Sequence, residues 1–413
     1  MRLPPRLVLC GRVARAAREI RDSAERRRYL VHMLTSVLRT VSALGVVAAL
    51  LATPTACEWM QNPPPAPPAP PQGPLGKPRL LRGMNLGNAL EAPNEGDWGV
   101  VLDDADFPRV REAGFDHVRL PVSFSAHASL SPPYTIDESF FARVDWAIAH
   151  ALASDLAIIV DLHNYDELMK HPEANAARFV ALWTQVARRY RHMPEAVCFE
   201  LLNEPHGDLT AERWNTLLAS ALHVVRANNP TRTVIVEGVD WASAKNLRDT
   251  LRIPDDPALV ASFHMYQPIL FTHQGAPWMN PEFQTTGIGF PGPPAAPVAP
   301  VPAAASMSWV REWFDRYNRE PTATNPSGPS AVVEQLEMAK SFADARHMPV
   351  YMGEFAAIDN ADLGSRVKWT RMTRQEAERR GFGWAYWDDG GSFKAYDRKG
   401  GDWVPELLAA LRH

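Results

Sequence analysis

The sequence predicts an α/β protein, a (β/α)8 TIM barrel forming one large domain, and three observations carry that prediction. Eight short apolar runs alternate with eight longer stretches whose apolar residues recur at helical spacing. Polar residues gather at the C-terminal ends of the apolar runs, where a barrel brings side chains to one face. The alternative, a doubly wound open sheet, lacks its usual sign, because no Gly-rich phosphate turn follows the first strand.

In order, the first strand is read at "LLRGMNL" (80–86), with a helix over 103–113. "DHVRLPV" (116–122) precedes a helix over 137–153, and "LAIIVDLH" (156–163) one over 174–191. "VCFELLN" (197–203) leads to a helix over 210–228, and "TVIVEG" (233–238) to a short one near 243–250. "LVASFHMY" (259–266) is followed at a distance by a helix over 331–346. "VYMGEF" (350–355) precedes 362–380, and "GWAYWDD" (383–389) precedes 405–411.

One interval is out of step: Tyr266 and Glu354 are 88 residues apart, against roughly 27–44 for the other intervals. The excess, about 285–330, includes "FPGPPAAPVAPVPAAAS" (290–306) and "EPTATNPSGPS" (320–330). It reads as an elaborated sixth βα-loop that walls one end of a cleft, or as a floppy decoration.

The N-terminus has a different character. Residues 1–40 hold ten Arg and three acids, a charge of +7, and the remaining chain carries −11 of the net −4. The mildly acidic body argues against nucleic-acid binding. "TVSALGVVAALLATPTAC" (40–57) fits a secretory signal core and is too short for a stable membrane span, and Met33 would start a conventional n-region. Thr55-Ala56-Cys57 resembles the end of a bacterial lipoprotein signal, although Pro54 departs from it. Residues 58–79 read as a Pro-rich stalk. The expectation is a secreted or extracytoplasmic monomer, held to a membrane only through Cys57 if that residue is acylated. Three cysteines (Cys10, Cys57, Cys198) exclude a disulfide scaffold and a cysteine metal site.

The predicted strand ends collect Asn85, Arg119, His163 with Asn164, Asn203 with Glu204, Glu237, His264 with Tyr266, Glu354 and Trp387. Two carboxylates among neutral, cationic and aromatic partners suit glycosidic bond cleavage. One protonates the leaving oxygen, and the other attacks or directs water. Strands four and seven lie about 14 Å apart across the mouth, so two inward Glu side chains leave about 6 Å between carboxyls. That gap leans towards retention of configuration.

"RGMNLGNALEAPNEGDWG" (82–99), "HVRLPV" (117–122), "LLNEPHG" (201–207), "FHMYQP" (263–268), "YMGEFAA" (351–357) and "WAYWD" (384–388) resemble glycoside hydrolase family 5, and within it the bacterial endo-β-1,4-glucanases. The resemblance covers about 80–413. It implies a retaining cellulase without cofactor or metal, acting on β-1,4-glucan or, on the same barrel, mannan. It makes Glu204 the acid/base and Glu354 the nucleophile. It assigns Asn203 to the sugar 2-hydroxyl, His163 and His264 to sugar hydroxyls or Glu204, Trp387 to a sugar face, and Asn85 and Arg119 to support. A charged Glu354 is expected to raise the pKa of Glu204. Asn164 stands where the resemblance suggests a second consecutive His. Trp98, Trp241 and Trp278 are candidates for outer subsites.

Blander readings stand beside these. Glu204 alone is a helix-terminal acid, Arg119 a structural ion pair, His264 a satisfied core histidine and His206 a rim loop residue. Glu237 reads as a barrel salt bridge, and Trp309, Trp313 and Trp369 as helix-face core. Two rival functions are a metal-dependent hydrolase using Asp161, His163, His206 and His264, and a non-catalytic sugar-binding barrel.

Overall fold

The computed structural model describes residues 78–413. The signal segment, the start at Met33, Cys57 and the stalk up to residue 77 lie outside the described residues.

Eight parallel strands close in sequence order: β1 (Arg82–Asn85), β2 (His117–Val122), β3 (Ala157–Leu162), β4 (Val197–Glu200), β5 (Val234–Glu237), β6 (Leu259–Met265), β7 (Val350–Phe355) and β8 (Gly383–Tyr386), with β8 pairing back onto β1. The main outer helices are α1 (Asp106–Glu112), α2 (Glu138–Ala153), α3 (Pro172–Arg189), α4 (Ala211–Arg226), α5 (Ala244–Asp249), α6 (Ser308–Arg319), α7 (Pro329–Arg346), α8 (Leu363–Arg379) and α9 (Pro405–Arg412). All but α6 match a helix read from periodicity.

Strand alternation sorts the side chains. Outward residues such as Val118, Leu120, Val160, Phe199 and Val236 join one large core under the helices. Inward residues form two tiers. The lower is apolar, with Ile159, Cys198, Ile235, Tyr351 and Ala385 packed together, and it plugs the barrel. The upper is charged and buried, with Asn85, Arg119, Asp161, Glu200 and Glu237 all fully inaccessible.

Two strands stop three residues short of their predicted ends. β4 ends at Glu200 rather than Asn203, and β8 at Tyr386 rather than Asp389. In β4 the apolar run continues through the buried Leu201 and Leu202, and backbone bonds from Leu201 N to the Ile235 carbonyl (3.2 Å) and from Asn203 N to the Leu162 carbonyl (3.0 Å) carry the pairing past Glu200 before the chain turns towards Pro205. The Leu201 carbonyl accepts the indole N–H of Trp183 on α3 at 2.8 Å. The Trp214 indole on α4 caps the Glu237 carbonyl in the same way, at 2.7 Å. Two buried Trp donors thus tie the helix layer to the strand ends that carry the site.

The insertion is not a floppy decoration. Gln274 clamps Ile288 through both its amide atoms, Phe290 N donates to Ser365 Oγ at 2.9 Å, and Asn325 Nδ2 donates to the Tyr317 and Glu320 carbonyls. Side chains satisfy a backbone that Pro and Gly keep out of regular structure. Trp369 is fully buried and Trp313 packs on the core, but Trp309 is 45% exposed on α6 beside Phe283, so it is a surface residue.

Candidate active site

Arg119 is the hub of the charged tier. Its Nε and Nη2 grip Glu200 at 2.8 and 2.9 Å, Nη1 donates to Asn85 Oδ1 at 3.0 Å and Glu354 Oε1 at 2.8 Å, and Nη2 also reaches Asn203 Oδ1 at 2.8 Å. Asp161 Oδ2 lies 3.0 Å away as a further ion pair. Such a guanidinium, planar and permanently charged, orders every oxygen around it. Asn85 extends the order by donating to the Gly353 and Tyr386 carbonyls, joining β1 to β7 and β8.

Glu354 accepts on both oxygens, from Arg119 and from the Tyr266 hydroxyl at 2.7 Å. Burial, then the charges of Glu354 and Glu204, hold the Tyr266 phenol well above its ordinary pKa, so it remains a donor. A register irregularity between Phe263 and His264 sets His264 level with Glu354. Glycine at 353 makes that possible, because a Cβ there would come within 2.9 Å of Ser262 Oγ and 3.1 Å of the His264 ring.

Glu204 sits beyond β4 with φ +48°, the left-handed region that few non-Gly residues enter. His264 Nδ1 donates to its Oε1 at 2.8 Å, and lies 3.6 Å from Glu354 Oε2. An oxygen of Glu204, a nitrogen of His264 and an oxygen of Glu354 all fall within 4.8 Å of one another. One oxygen of each carboxyl thus comes within 4.8 Å of the other, an approach that fits the ~5–5.5 Å separation of a double displacement.

The expected raised pKa of Glu204 is not what the structure gives. Burial pushes the carboxyl up, but the hydrogen bond and charge of His264 outweigh it and leave Glu204 below its ordinary value. His264 is desolvated, which alone would pull it down. Glu237, Glu354 and Glu204 together hold it well above the usual histidine range. At rest the proton belongs to His264.

His163 behaves oppositely: burial and the Arg119 charge drive it down to about 3. Neutral, it gives its Nδ1 proton to Asp161 at 2.6 Å and keeps Nε2 as an acceptor. Its ring lies parallel to Trp387, centroids 5.7 Å apart and planes 8° off. Gly87 permits that Trp387 placement, since a Cβ would meet the indole at 2.9 Å. Asn164 adopts φ +51°, which Asn tolerates better than most residues, and donates to the Glu91 carbonyl at 3.1 Å.

Beside this centre runs a cleft of about 570 Å³, lined in part by Glu91, Trp98, Ser123, Leu130 and Asn164. Trp98, Trp241 and Trp278 are about half exposed. Trp241 stacks on His206, centroids 4.9 Å apart, and His206 Nδ1 bonds the Glu204 carbonyl at 2.7 Å. Trp278 packs on Phe393 at 6.1 Å.

Sequence reasoning passed over Glu200, although it shares the inner face with Cys198 by simple alternation. It weighed Asp161 only as a metal ligand. It left Asp388 without a role; Asn88 bonds this buried carboxylate, and desolvation raises it to about 7. The set Asp161, His163, His206 and His264 does not converge. Among the described residues the groups with metal-ligand spacing are Glu200–Glu237–His264 and Glu204–His264–Glu354.

The family model described as Cellulase (glycosyl hydrolase family 5) matches residues 76–392. Endoglucanase H of Acetivibrio thermocellus is 31% identical over 359 residues, covering 86% of this chain and 35% of that protein, so the chain spans about a third of this relative. The Cel5A endoglucanase of the hyperthermophile Thermotoga maritima superposes with TM-score 0.69 at 39% identity, over 80% of this chain and 97% of that one. It has been solved with cellobiose and with mannotriose. The cellulose synthase subunit Z of Clostridioides difficile gives TM-score 0.70 at 31% identity, over 81% and 100%. On its sequence, its closed eight-stranded barrel and these matches, the chain belongs to glycosyl hydrolase family 5, the cellulase family.

Proposed function

We propose that the protein is a retaining endo-β-1,4-glucanase in which Glu354 attacks and Glu204 transfers protons. The observation that carries this is the pair of carboxyls facing each other within 4.8 Å, one held by Arg119 and Tyr266, the other by His264. Glu354 Oε bonds the anomeric carbon as the glycosidic C–O bond breaks, and Glu204 passes a proton to the leaving oxygen. Glu204 then takes a proton from water, which displaces Glu354 and restores the configuration. Because the resting proton sits on His264, it crosses the 2.8 Å contact to Glu204 before the leaving oxygen receives it. Asn203 has its carbonyl oxygen bound to Arg119, so its amide NH2 is left to donate to the sugar 2-hydroxyl. His163 and Trp387 hold the sugar at the cleavage point.

Exposed Trp98, Trp241 and Trp278 along the rim suit several sugars in an open groove, hence attack within a chain. The mannotriose complex of Cel5A supports a second substrate class, β-mannan, on the same centre. The sequence of 40–57 supports action outside the cytoplasm, with polysaccharide as the partner. Carboxymethyl cellulose, mixed-linkage glucan, xyloglucan and glucomannan compared side by side test the reading. Oligosaccharides of mixed length from the glucans are expected; activity on mannan alone, or release of single sugars only, would refute it.

A further inference from the structure

Glu237 has no part in the two-carboxylate scheme, yet it reaches Glu204 twice, directly at the backbone and through His264 at the carboxyl. Its Oε2 accepts the backbone N–H of Glu204 at 2.7 Å. Its Oε1 accepts from Ser262 Oγ at 3.2 Å and lies 2.8 Å from His264 Nε2, an ion pair bent away from the ideal hydrogen-bond line. The other ring nitrogen of His264 meets Glu204 Oε1. The contacts close a ring that runs from the Glu204 carboxyl through His264 and Glu237 to the Glu204 amide. Glu237 and His264 have side chains only 0% and 1% exposed, and the Glu204 amide belongs to a left-handed residue that needs an external hold. A plain barrel ion pair would require the imidazole contact alone. Here the second oxygen is spent on the main chain of Glu204 itself.

We infer that Glu237 is a positioning residue for the proton-transfer step: it fixes the Glu204 backbone and keeps a proton on His264 at the nitrogen facing Glu204. This rests on Glu204 being the acid/base. The groups facing His264 are Arg119 on β2, Asp161 and His163 on β3, Glu200 and Glu204 on and after β4, Glu237 on β5, Tyr266 after β6 and Glu354 on β7. Among the anions, Glu237 is the largest contributor to the raised affinity of His264 for its proton. Glu237 itself is held at about 2, because His264 and then Arg119 outweigh its desolvation. Removing its charge therefore lets the proton shared by His264 and Glu204 leave at lower pH. The alkaline limb of kcat/KM moves down.

The test is Glu237→Gln, with Glu237→Asp and Glu204→Gln alongside, on cellotetraose and on dinitrophenyl β-cellobioside, whose leaving group departs without a proton. For E237Q, kcat/KM on cellotetraose is expected to fall by about 30–100-fold at neutral pH. The alkaline limb should drop by roughly one unit or more, while the dinitrophenyl substrate changes by less than about threefold, which also reports that the barrel is folded. E237D withdraws the charge by one methylene and should shift the limb the same way by less. It decides the matter if E237Q does not fold. Equal losses on both substrates with an unmoved limb would make Glu237 structural and overturn the inference. E204Q separates the two levels: if it lowers both substrates alike, the acid/base assignment itself fails; if it spares only the dinitrophenyl substrate, the Glu237 variants alone decide.

Discussion

Replacing Glu354 by alanine is expected to lower kcat on soluble β-glucan by about 10⁴–10⁶-fold, the range for loss of a covalent nucleophile. The affinity for cello-oligosaccharides, read by calorimetry, should hold. The fold is expected to survive, because Arg119 keeps its two-pronged grip on Glu200 and its contact with Asp161. Glu204→Gln should cost about 10²–10⁴-fold on the same substrate. The loss should shrink on an activated aryl glycoside, where proton donation matters little. Near-normal turnover in either variant would reject the assigned roles.

Arg119→Met should act on the whole barrel. It leaves Glu200, Asp161 and Glu354 without their shared cation, in a tier where Glu200 and Asp161 are wholly inaccessible. Breaking a buried pair from one side costs about 3–5 kcal/mol. In a body of this size that is roughly 5–8 °C in melting temperature. Arg119→Lys should recover part of the stability and little of the activity, since one ammonium cannot hold Glu200 by two bonds and still order Glu354, Asn85 and Asn203. Thermal melts of the two variants beside wild type check the order. A Met variant as stable as the parent would show that the acids tolerate each other, by taking up protons or by moving apart.

The strands were legible because a barrel stave is buried on both faces and spells a continuous apolar run. Their ends were less so. Leu201 and Leu202 look like strand and are buried like strand, and backbone bonds from Leu201 to β5 and from Asn203 to β3 extend the pairing past the end of β4 at Glu200. Glu204 and Glu354 were legible as residue types at predicted strand ends. Their approach was estimated from barrel dimensions alone, at about 6 Å; what that estimate could not contain was the irregularity beside His264 and the glycine at 353, long-range geometry that no local pattern encodes. The sign of the Glu204 shift was missed for a related reason. One neighbouring acid was weighed, while the imidazolium between three acids was not visible. Asn164 looked like a departure from the two consecutive histidines the resemblance suggests, and its left-handed backbone supplies a reason for the residue type. Composition left the insertion open between an ordered loop and a floppy decoration, because its order comes from a few amides, Gln274, Asn318 and Asn325, that bind main chain 14, 20 and 8 residues away.

The plug of the barrel has a chemical use of its own. Cys198, the one cysteine among the described residues, has its sulfur on the inner wall of β4, sealed by Ile159, Ile235 and Tyr351. A water-soluble alkylating reagent meets that thiol only when neighbouring staves part. Its rate of modification, followed by mass on the peptide that holds it, is a built-in clock for opening of the cylinder.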